Sequence, residues 1–259
     1  MGQTITLSAL EYDVLWEHLQ LGPFPPIFEL DSHGATLEER AELTAEAWES
    51  LADKELGWPT AVDGRVVFRL RMLARPEWEV DARLRRPDGR TVSALIAANP
   101  ATTTTATIAI RDEDRLTLRT FPAGEMIGAA VSLLPPHPPG TGVSITLPAE
   151  TLDAAVARSG RDPASLARTL ISSGLGKSEA YKIADLAAGT VGFAHFGAAR
   201  TRTFDRRRRA GHVVSVYDTT AGRYLFTRKP TGAQRWVTLV PGTPSALTRQ
   251  LDELLAELS

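Results

Sequence analysis

Apolar positions recur at helical spacing through the first quarter of the chain and then switch to a period of two. Ser8 can cap a helix carrying Leu10, Val14 and Leu15, with Gly22 as its stop. Thr36-Leu37-Glu38-Glu39 reads as a capping box opening a second helix, whose apolar stripe is Leu37, Ala41, Ala45, Trp48 and Leu51. Gly57-Trp58-Pro59 breaks it. Val66 to Ala74 forms a shorter helix with Val67, Leu70 and Leu73 on one face, stopped by Pro76. From Glu77 to Arg85 the pattern alternates, with Trp78, Val80, Ala82 and Leu84 between charged neighbours: a half-buried antiparallel strand. The turn Arg86-Pro87-Asp88-Gly89 follows. Further strands are predicted at 91–98, 105–111 and 115–121, the last two joined across Asp112-Glu113-Asp114, and a helix over 123–134.

Pro135-Pro136-His137-Pro138-Pro139-Gly140 is a proline-stiff linker too short to hold two halves far apart. Beyond it the order of elements recurs. Thr146 to Asp153 matches Thr6 to Asp13 at four of eight positions. Helices are predicted at 149–158, 163–172 and 178–188, with Asp162-Pro163 as cap and first-turn proline and Gly160, Gly174 and Gly189 as stops. Strands at 190–204, 212–218, 222–229 and 235–240 precede an amphipathic helix carrying Leu247, Leu251, Leu254, Leu255 and Leu258. The expectation is an α+β fold with pseudo-twofold internal duplication: an N-terminal half over 1–134, a linker over 135–142 and a C-terminal half over 143–259.

Composition narrows the function classes. The chain has 259 residues, 43% hydrophobic and 23% charged, with a formal net charge of −2, so no global charge attracts it to nucleic acid or acidic lipid. It has no cysteine, which excludes disulfides and thiolate chemistry and fits a reducing compartment. Met1 to Asp13 show no basic region followed by an apolar core, so no signal peptide is expected. Gly2 to Thr6 match the myristoylation pattern, but a short strand entering a helix explains them better. The longest charge-free run, Thr91 to Ile110, contains Asn99, Pro100 and a block of threonines, and reads as two strands and a turn rather than a membrane helix.

Candidate chemistry is sparse. Gly176-Lys177-Ser178 matches the tail of a phosphate-binding loop, but that loop needs a glycine five places before Gly176, where Ile171 stands. The segment also joins two predicted helices, not a strand and a helix, so it reads as a helix–helix turn with Ser178 capping the second. His18, His33, His137, His195 and His212 show no metal-ligand spacing. No Gly-x-Ser-x-Gly elbow is present, and Asp112 to Asp114 sit on a solvated hairpin tip. Arg200 to Arg209, TRTFDRRRR after its first arginine, is the strongest local charge feature. It falls in a hairpin loop with few interleaved aromatics, and so favours an exposed tip or an acidic protein partner over nucleic acid.

Four patches, spread over nearly the whole chain, resemble the EspG family, the cytosolic chaperones of actinobacterial type VII (ESX) secretion. They are Gly34-Ala-Thr-Leu-Glu-Glu-Arg40, Leu73-Ala-Arg-Pro-Glu-Trp-Glu-Val80, Ser215-Val-Tyr-Asp-Thr-Thr-Ala-Gly-Arg-Tyr-Leu225 and Trp236-Val-Thr-Leu-Val-Pro241 before the leucine-rich last helix. The resemblance implies a central antiparallel β-sheet with two helical bundles. It implies a non-enzymatic, cytoplasmic protein without cofactor or metal, a monomer or weak homodimer without stable membrane insertion. Its partner would be a PE–PPE heterodimer, gripped at the apolar PPE tip, kept soluble and targeted for export. Shielding such a tip requires an exposed apolar patch with a polar rim. Candidate partner-binding residues are Arg85, Arg86, Asp88 and Arg90 at the first-half turn, Leu95 on charge-free sheet surface, Ser173, Leu175 and Lys177 at the second-bundle turn, and Arg206 and Arg207 in the arginine loop. The turn at Arg86 is shorter than in many mycobacterial relatives. The rival readings are a nucleic-acid- or acidic-protein-binding module using Arg206 to Arg209, and a hydrolase or nucleotide-dependent enzyme with a dispersed site.

Overall fold

The computed structural model describes residues 3–30, 32–160, 162–202, 206–232 and 234–259. Gly2 of the myristoylation pattern and Thr203, Phe204 and Asp205 of the arginine run lie outside these. The chain divides into two compact units. The first comprises Met1–Arg83, Thr91–Ala130 and Ala199–Arg208; the second comprises Leu84–Arg90, Val131–Ala198 and Arg209–Ser259.

The first unit runs β1 (Ile5–Ser8), α1 (Ala9–His18), α2 (Leu37–Asp53), β2 (Gly57–Trp58), β3 (Ala61–Val62), α3 (Gly64–Ala74), β4 (Trp78–Arg85), β5 (Thr91–Ala98), β6 (Thr105–Asp112), β7 (Arg115–Pro122) and α4 (Met126–Val131). Its main sheet has the order β1-β7-β6-β5-β4, with β1 antiparallel to β7 in the register Ile5↔Leu118 to Ser8↔Arg115. Ser8 caps α1 through a full capping box: its hydroxyl accepts from Glu11 N–H at 3.1 Å, and Glu11 accepts from Ser8 N–H at 2.7 Å. At Thr36 only half of the predicted box forms. The threonine accepts from Glu39 N–H, but the Glu39 carboxylate turns to Ala35 N–H instead.

Helices α1 and α3 lie on the sheet and α2 lies on α1. Between them Tyr12, Trp16 and Phe28 join Leu7, Leu15, Leu51, Leu70 and Leu73 in a continuous core. Of the stripe expected along α2, Leu51 is buried and Trp48 half-buried against the core, while Leu37 is 85% exposed and Ala41 and Ala45 are exposed; Ala47, outside that stripe, is buried. The helix buries side chains only toward its C-terminal end, while Arg40 in its first turn is tied to Asp13 and Glu17 of α1. The helix expected over 123–134 is a 3-10 turn at Ala123–Glu125 followed by α4.

The second unit runs β8 (Ile145–Pro148), α5 (Ala149–Ser159), α6 (Pro163–Ser172), α7 (Lys177–Gly189), β9 (Thr190–Arg200), β10 (Arg208–Arg209), β11 (Val214–Thr219), β12 (Gly222–Thr231), β13 (Gln234–Pro241) and α8 (Pro244–Ala256). Its sheet order, β9-β11-β12-β13-β8, is antiparallel throughout. In both units the short strand before the first helix is the outer neighbour of the last long strand. The predicted helices at 149–158, 163–172 and 178–188 fall within one residue of α5, α6 and α7 at every end, and four of the five leucines expected in the last helix lie in α8, with Leu258 just beyond it.

The proline linker is a strap on this sheet rather than a free spacer. Arg223 N–H donates to Pro138 O at 2.7 Å, Gly140 N–H to Arg223 O at 2.8 Å, and the Arg223 guanidinium to Pro135 O at 2.8 Å. Arg223 is itself held by both oxygens of Asp218, at 2.6 and 2.8 Å. Gly140 is required there, because a Cβ would sit 2.0 Å from the Tyr224 ring. Asp218, Gly222, Arg223 and Tyr224 belong to the longest patch behind the family resemblance, and all four serve this hairpin and strap.

Candidate functional site

The α5–α7 layer does not close on its sheet. Helix α5 rests on β8 and β13, α6 packs on α5, and α7 packs on α6. Small residues at these seams, Ala155, Ala167, Ala180 and Ala184, let the helices approach one another closely. An apolar groove of about 230 Å³ remains beneath them. Leu152, Val156, Ile183 and Leu186 form its helical wall, and Tyr217, Tyr224, Phe226 and Leu239 its sheet wall. Val156 at its mouth is 48% exposed, and Ile183, Tyr217 and Phe226 are half-buried.

An aromatic row continues this sheet wall. Phe193 lies 5.0 Å from His195 between ring centroids, His195 lies 6.2 Å from Tyr217, and Tyr217 lies 6.0 Å from Phe226, the last two edge to face. The register explains the row: Tyr217 pairs with Phe193 and Tyr224, and Ser215 with His195 and Phe226, so all share one face. His195 Nδ1 and Ser215 Oγ are hydrogen-bonded at 2.8 Å. Burial raises the Tyr217 phenol above its ordinary pKa. The polar rim consists of the Asp153–Arg228 pair, at 2.6 and 2.9 Å, and Lys182, whose Nζ lies 4.8 Å from the Tyr224 ring centroid. These features suit apolar contact.

The sequence-predicted residues are placed unevenly. The turn carrying Arg85, Arg86, Asp88 and Arg90 adjoins this face: a Cβ on Gly192, next to Phe193, would meet Arg85 O at 3.0 Å and Pro87 Cδ at 3.7 Å. Asp88 accepts from Arg90 N–H at 2.9 Å, and Gly89 adopts φ 86°. Ser173 and Lys177 are exposed at the other end of α7, about 15 Å along the helix from Ala187. Leu175 is half-buried against the core.

The turn itself is a helix–helix connection. Gly174 is left-handed at φ 95°, and Gly176 rather than Ser178 is the N-cap, with Glu179 accepting from Gly176 N–H at 3.2 Å. Ile171 lies inside α6, so no phosphate loop forms.

Leu95 is corrected out of the candidate set. It is 3% exposed and packs in the first unit's core; its neighbour Ile96, on the opposite face of β5, is fully buried. The charge-free run is interior strand. Arg206 and Arg207 fall in the first unit, both exposed, and Arg207 is paired with Glu79. Arg200 stacks 4.1 Å over the Trp78 ring and bonds Glu77 at 3.0 Å. The arginine segment is thus partly neutralised by carboxylates of its own unit, which weakens the nucleic-acid reading.

The groove and the aromatic row were missed in the sequence. Their signal was there: Phe193-x-His195 and Tyr224-x-Phe226 each place two rings two apart, and Tyr217 adds another ring on the strand paired between them. Among the described residues, no group of three His, Asp or Glu side chains could hold a metal ion, and no helix is long and apolar enough to cross a membrane.

No curated protein sequence matches the chain. Among solved structures, it is similar to the Mycobacterium tuberculosis type VII secretion system chaperone EspG5 in complex with the PE25–PPE41 dimer. The TM-score is 0.80 at 16% identity, over 99% of this chain and 97% of that one. The EspG family model matches residues 8–253, nearly the full length, and on that match the chain belongs to the EspG family.

Proposed function

We propose that this chain is a cytosolic, non-enzymatic chaperone of type VII secretion. It binds a PE–PPE-type heterodimer at an apolar helical tip, keeps the pair soluble and directs it for export. The observation that carries the reading is the open apolar groove of the second unit, in a chain whose fold is that of a chaperone solved with a PE–PPE dimer. Covering one large apolar side chain contributes about 1.5–3 kcal/mol, so a client tip inserting two or three into the groove and onto the aromatic row supplies the core of a stable interface. The rim then sets orientation. Arg85 and Arg86 lie beside the aromatic row, and guanidinium groups tolerate desolvation at interfaces better than ammonium groups.

Co-expression with a PE–PPE pair encoded near this chain tests the reading, with a soluble three-protein complex as the expected product. Ile183→Asp places a charge in the groove and should weaken binding by at least about tenfold, or 1.4 kcal/mol, with the fold intact by circular dichroism. Arg86→Ala should weaken it less. If every neighbouring pair is soluble alone and none co-purifies, the chaperone reading fails.

A further inference from the structure

Among the described residues, the outer edge of β1 is paired with no other strand, and a cleft lies beside it. Its free groups follow from the register. Continuing that register pairs Ala9 with Asp114, and Ala9 N–H donates to Asp114 O at 2.8 Å. Hydrogen-bonded and non-bonded positions alternate along an antiparallel pair, so Ile5 and Leu7 direct their backbone groups to β7, while Thr4, Thr6 and Ser8 direct theirs outward. Glu11 takes the Ser8 N–H. Thr4 and Thr6 therefore leave their N–H and C=O groups for another strand.

Alongside lies a cavity of about 530 Å³, bounded by Gln3 to Ser8 on one side and by Lys54, Glu55, Leu56 and Arg65 on the other, with Arg115 at its end. Its charge is unbalanced. Lys54 is matched by Glu11 at 2.6 Å and Arg65 by Asp63 at 2.7 Å. Arg115 is exposed. Just behind Gln3, Arg69 is 3% exposed and gives one nitrogen to the Gln3 carbonyl at 2.6 Å, leaving its Nε and Nη1 without acceptors. The lining itself carries three cations, Lys54, Arg65 and Arg115, and one carboxylate, Glu55; Glu11 and Asp63 pair with the first two, and Asp112 stands across the strand pair from Arg115. A guanidinium buried without a counter-ion is costly, and a nearby negative charge offsets that cost.

We infer that this edge binds an extended peptide segment bearing a carboxylate, which adds as a strand outside β1 and sets its acidic side chain against Arg115. Backbone bonds to Thr4 and Thr6 supply the pairing; the cleft and the exposed Arg115 guanidinium in its lining supply the preference. The site belongs to the first unit, and the inference stands or falls independently of the client groove.

The probe is a short fluorescein-labelled peptide alternating threonine and valine around a central glutamate, titrated by anisotropy into the full chain. Saturable binding is expected, weakened at least about fivefold by Arg115→Glu, by lysine in place of the glutamate, and by N-methylation of alternate peptide amides. Amide exchange at Thr6 should slow when the peptide is bound. Thr6→Pro removes the outward donor and should abolish binding; should that variant not fold, the N-methylated peptide makes the same test from the ligand side. Equal binding of the lysine or N-methylated peptide overturns the inference, as does no binding at millimolar peptide. Sedimentation that reveals a dimer lost in Thr6→Pro also overturns it, by giving the edge to a second copy of the chain.

Discussion

Two helix layers, each laid against an antiparallel sheet, end differently. In the first unit α1 and α3 both reach the sheet, and large side chains such as Tyr12, Trp16, Leu70 and Leu73 fill the space between. In the second unit α5 alone of its layer makes substantial sheet contact, while alanine seams draw α6 and α7 toward α5 and toward each other. The first arrangement yields a closed core. The second leaves apolar surface half-covered, a cost that an interaction protein bears when its partner is absent. The difference lies in how side-chain volume is distributed, since the strand order of the two sheets is the same.

The largest expected effect tests that contrast directly. Phe28 is fully buried, and Phe28→Ala should cost about 3–5 kcal/mol in denaturant unfolding. Phe226 has one side on the groove, so Phe226→Ala should cost only about 1–2 kcal/mol, roughly half the transfer term. Equal losses would mean that the groove is ordinary core.

Next comes Asp13, whose side chain is 3% exposed and accepts from Arg40 at 2.6 Å and from the His33 backbone at 2.8 Å. Asp13→Ala removes the buried acceptor shared by His33 and Arg40, whose guanidinium keeps Glu17, and should cost about 2 kcal/mol. Because these bonds tie the segment before α2 to α1, protection from amide exchange should fall first around His33 to Arg40.

Acid should separate the units. Burial lowers the His212 pKa below its ordinary 6.5, with Lys229 adding to the effect while Glu257 and Glu253 oppose it. The unfolded chain then binds the proton more readily, so the second unit loses stability as pH falls below about 6.5, by at most about 1.4 kcal/mol per pH unit. Burial alone would raise Asp13, but hydrogen bonds from the His33 backbone, Arg40 and the His33 ring outweigh it and hold the carboxyl below 3.8. Its contribution is present above that value and is lost only as pH falls further. Protection factors, which divide out the slower intrinsic exchange at low pH, should therefore fall between pH 7 and 5 in the second unit and not in the first, and His212→Gln should flatten that slope. A fall in protection in the first unit over this range would refute the assignment.

Periodicity carried much of this fold. The alternation of Trp78, Val80, Ala82 and Leu84, the paired prolines and glycines, and the leucines of α8 specify elements because each is a local property of a strand, cap or helix face. The groove is not local. Leu152, Val156 and Ile183 look like any core stripe, and whether a sheet meets that stripe depends on the alanines of the neighbouring helices. Leu95 failed for the converse reason: a charge-free strand is equally consistent with exposed apolar surface and with burial on both faces, and hydropathy does not count the layers above it. The Arg206–Arg207 segment reads as free charge until Glu79 comes beside it through tertiary structure.

The smallest prediction gives one substitution opposite signs in the two units. Tyr12 packs against Trp16, Phe24 and Phe28 with ring centroids 5.0, 5.6 and 6.2 Å away, yet its buried hydroxyl has no hydrogen-bond partner among the described residues. Burial without a partner is also why its pKa is raised well above 10.0. Tyr12→Phe keeps every ring contact and removes an unsatisfied group, so it should stabilise the chain by about 1 kcal/mol. The Tyr224 hydroxyl, by contrast, donates to Thr141 O at 3.0 Å and accepts from Thr141 N–H at 2.9 Å, fixing the proline strap against the sheet wall of the groove. Tyr224→Phe loses both bonds and leaves the Thr141 amide without its acceptor, for a cost of about 1–2 kcal/mol. Thermal unfolding of the two variants side by side reads the sign in each case. A destabilised Tyr12→Phe would show that the first unit's core holds a polar partner for that hydroxyl, and so is less completely apolar than the second unit's groove.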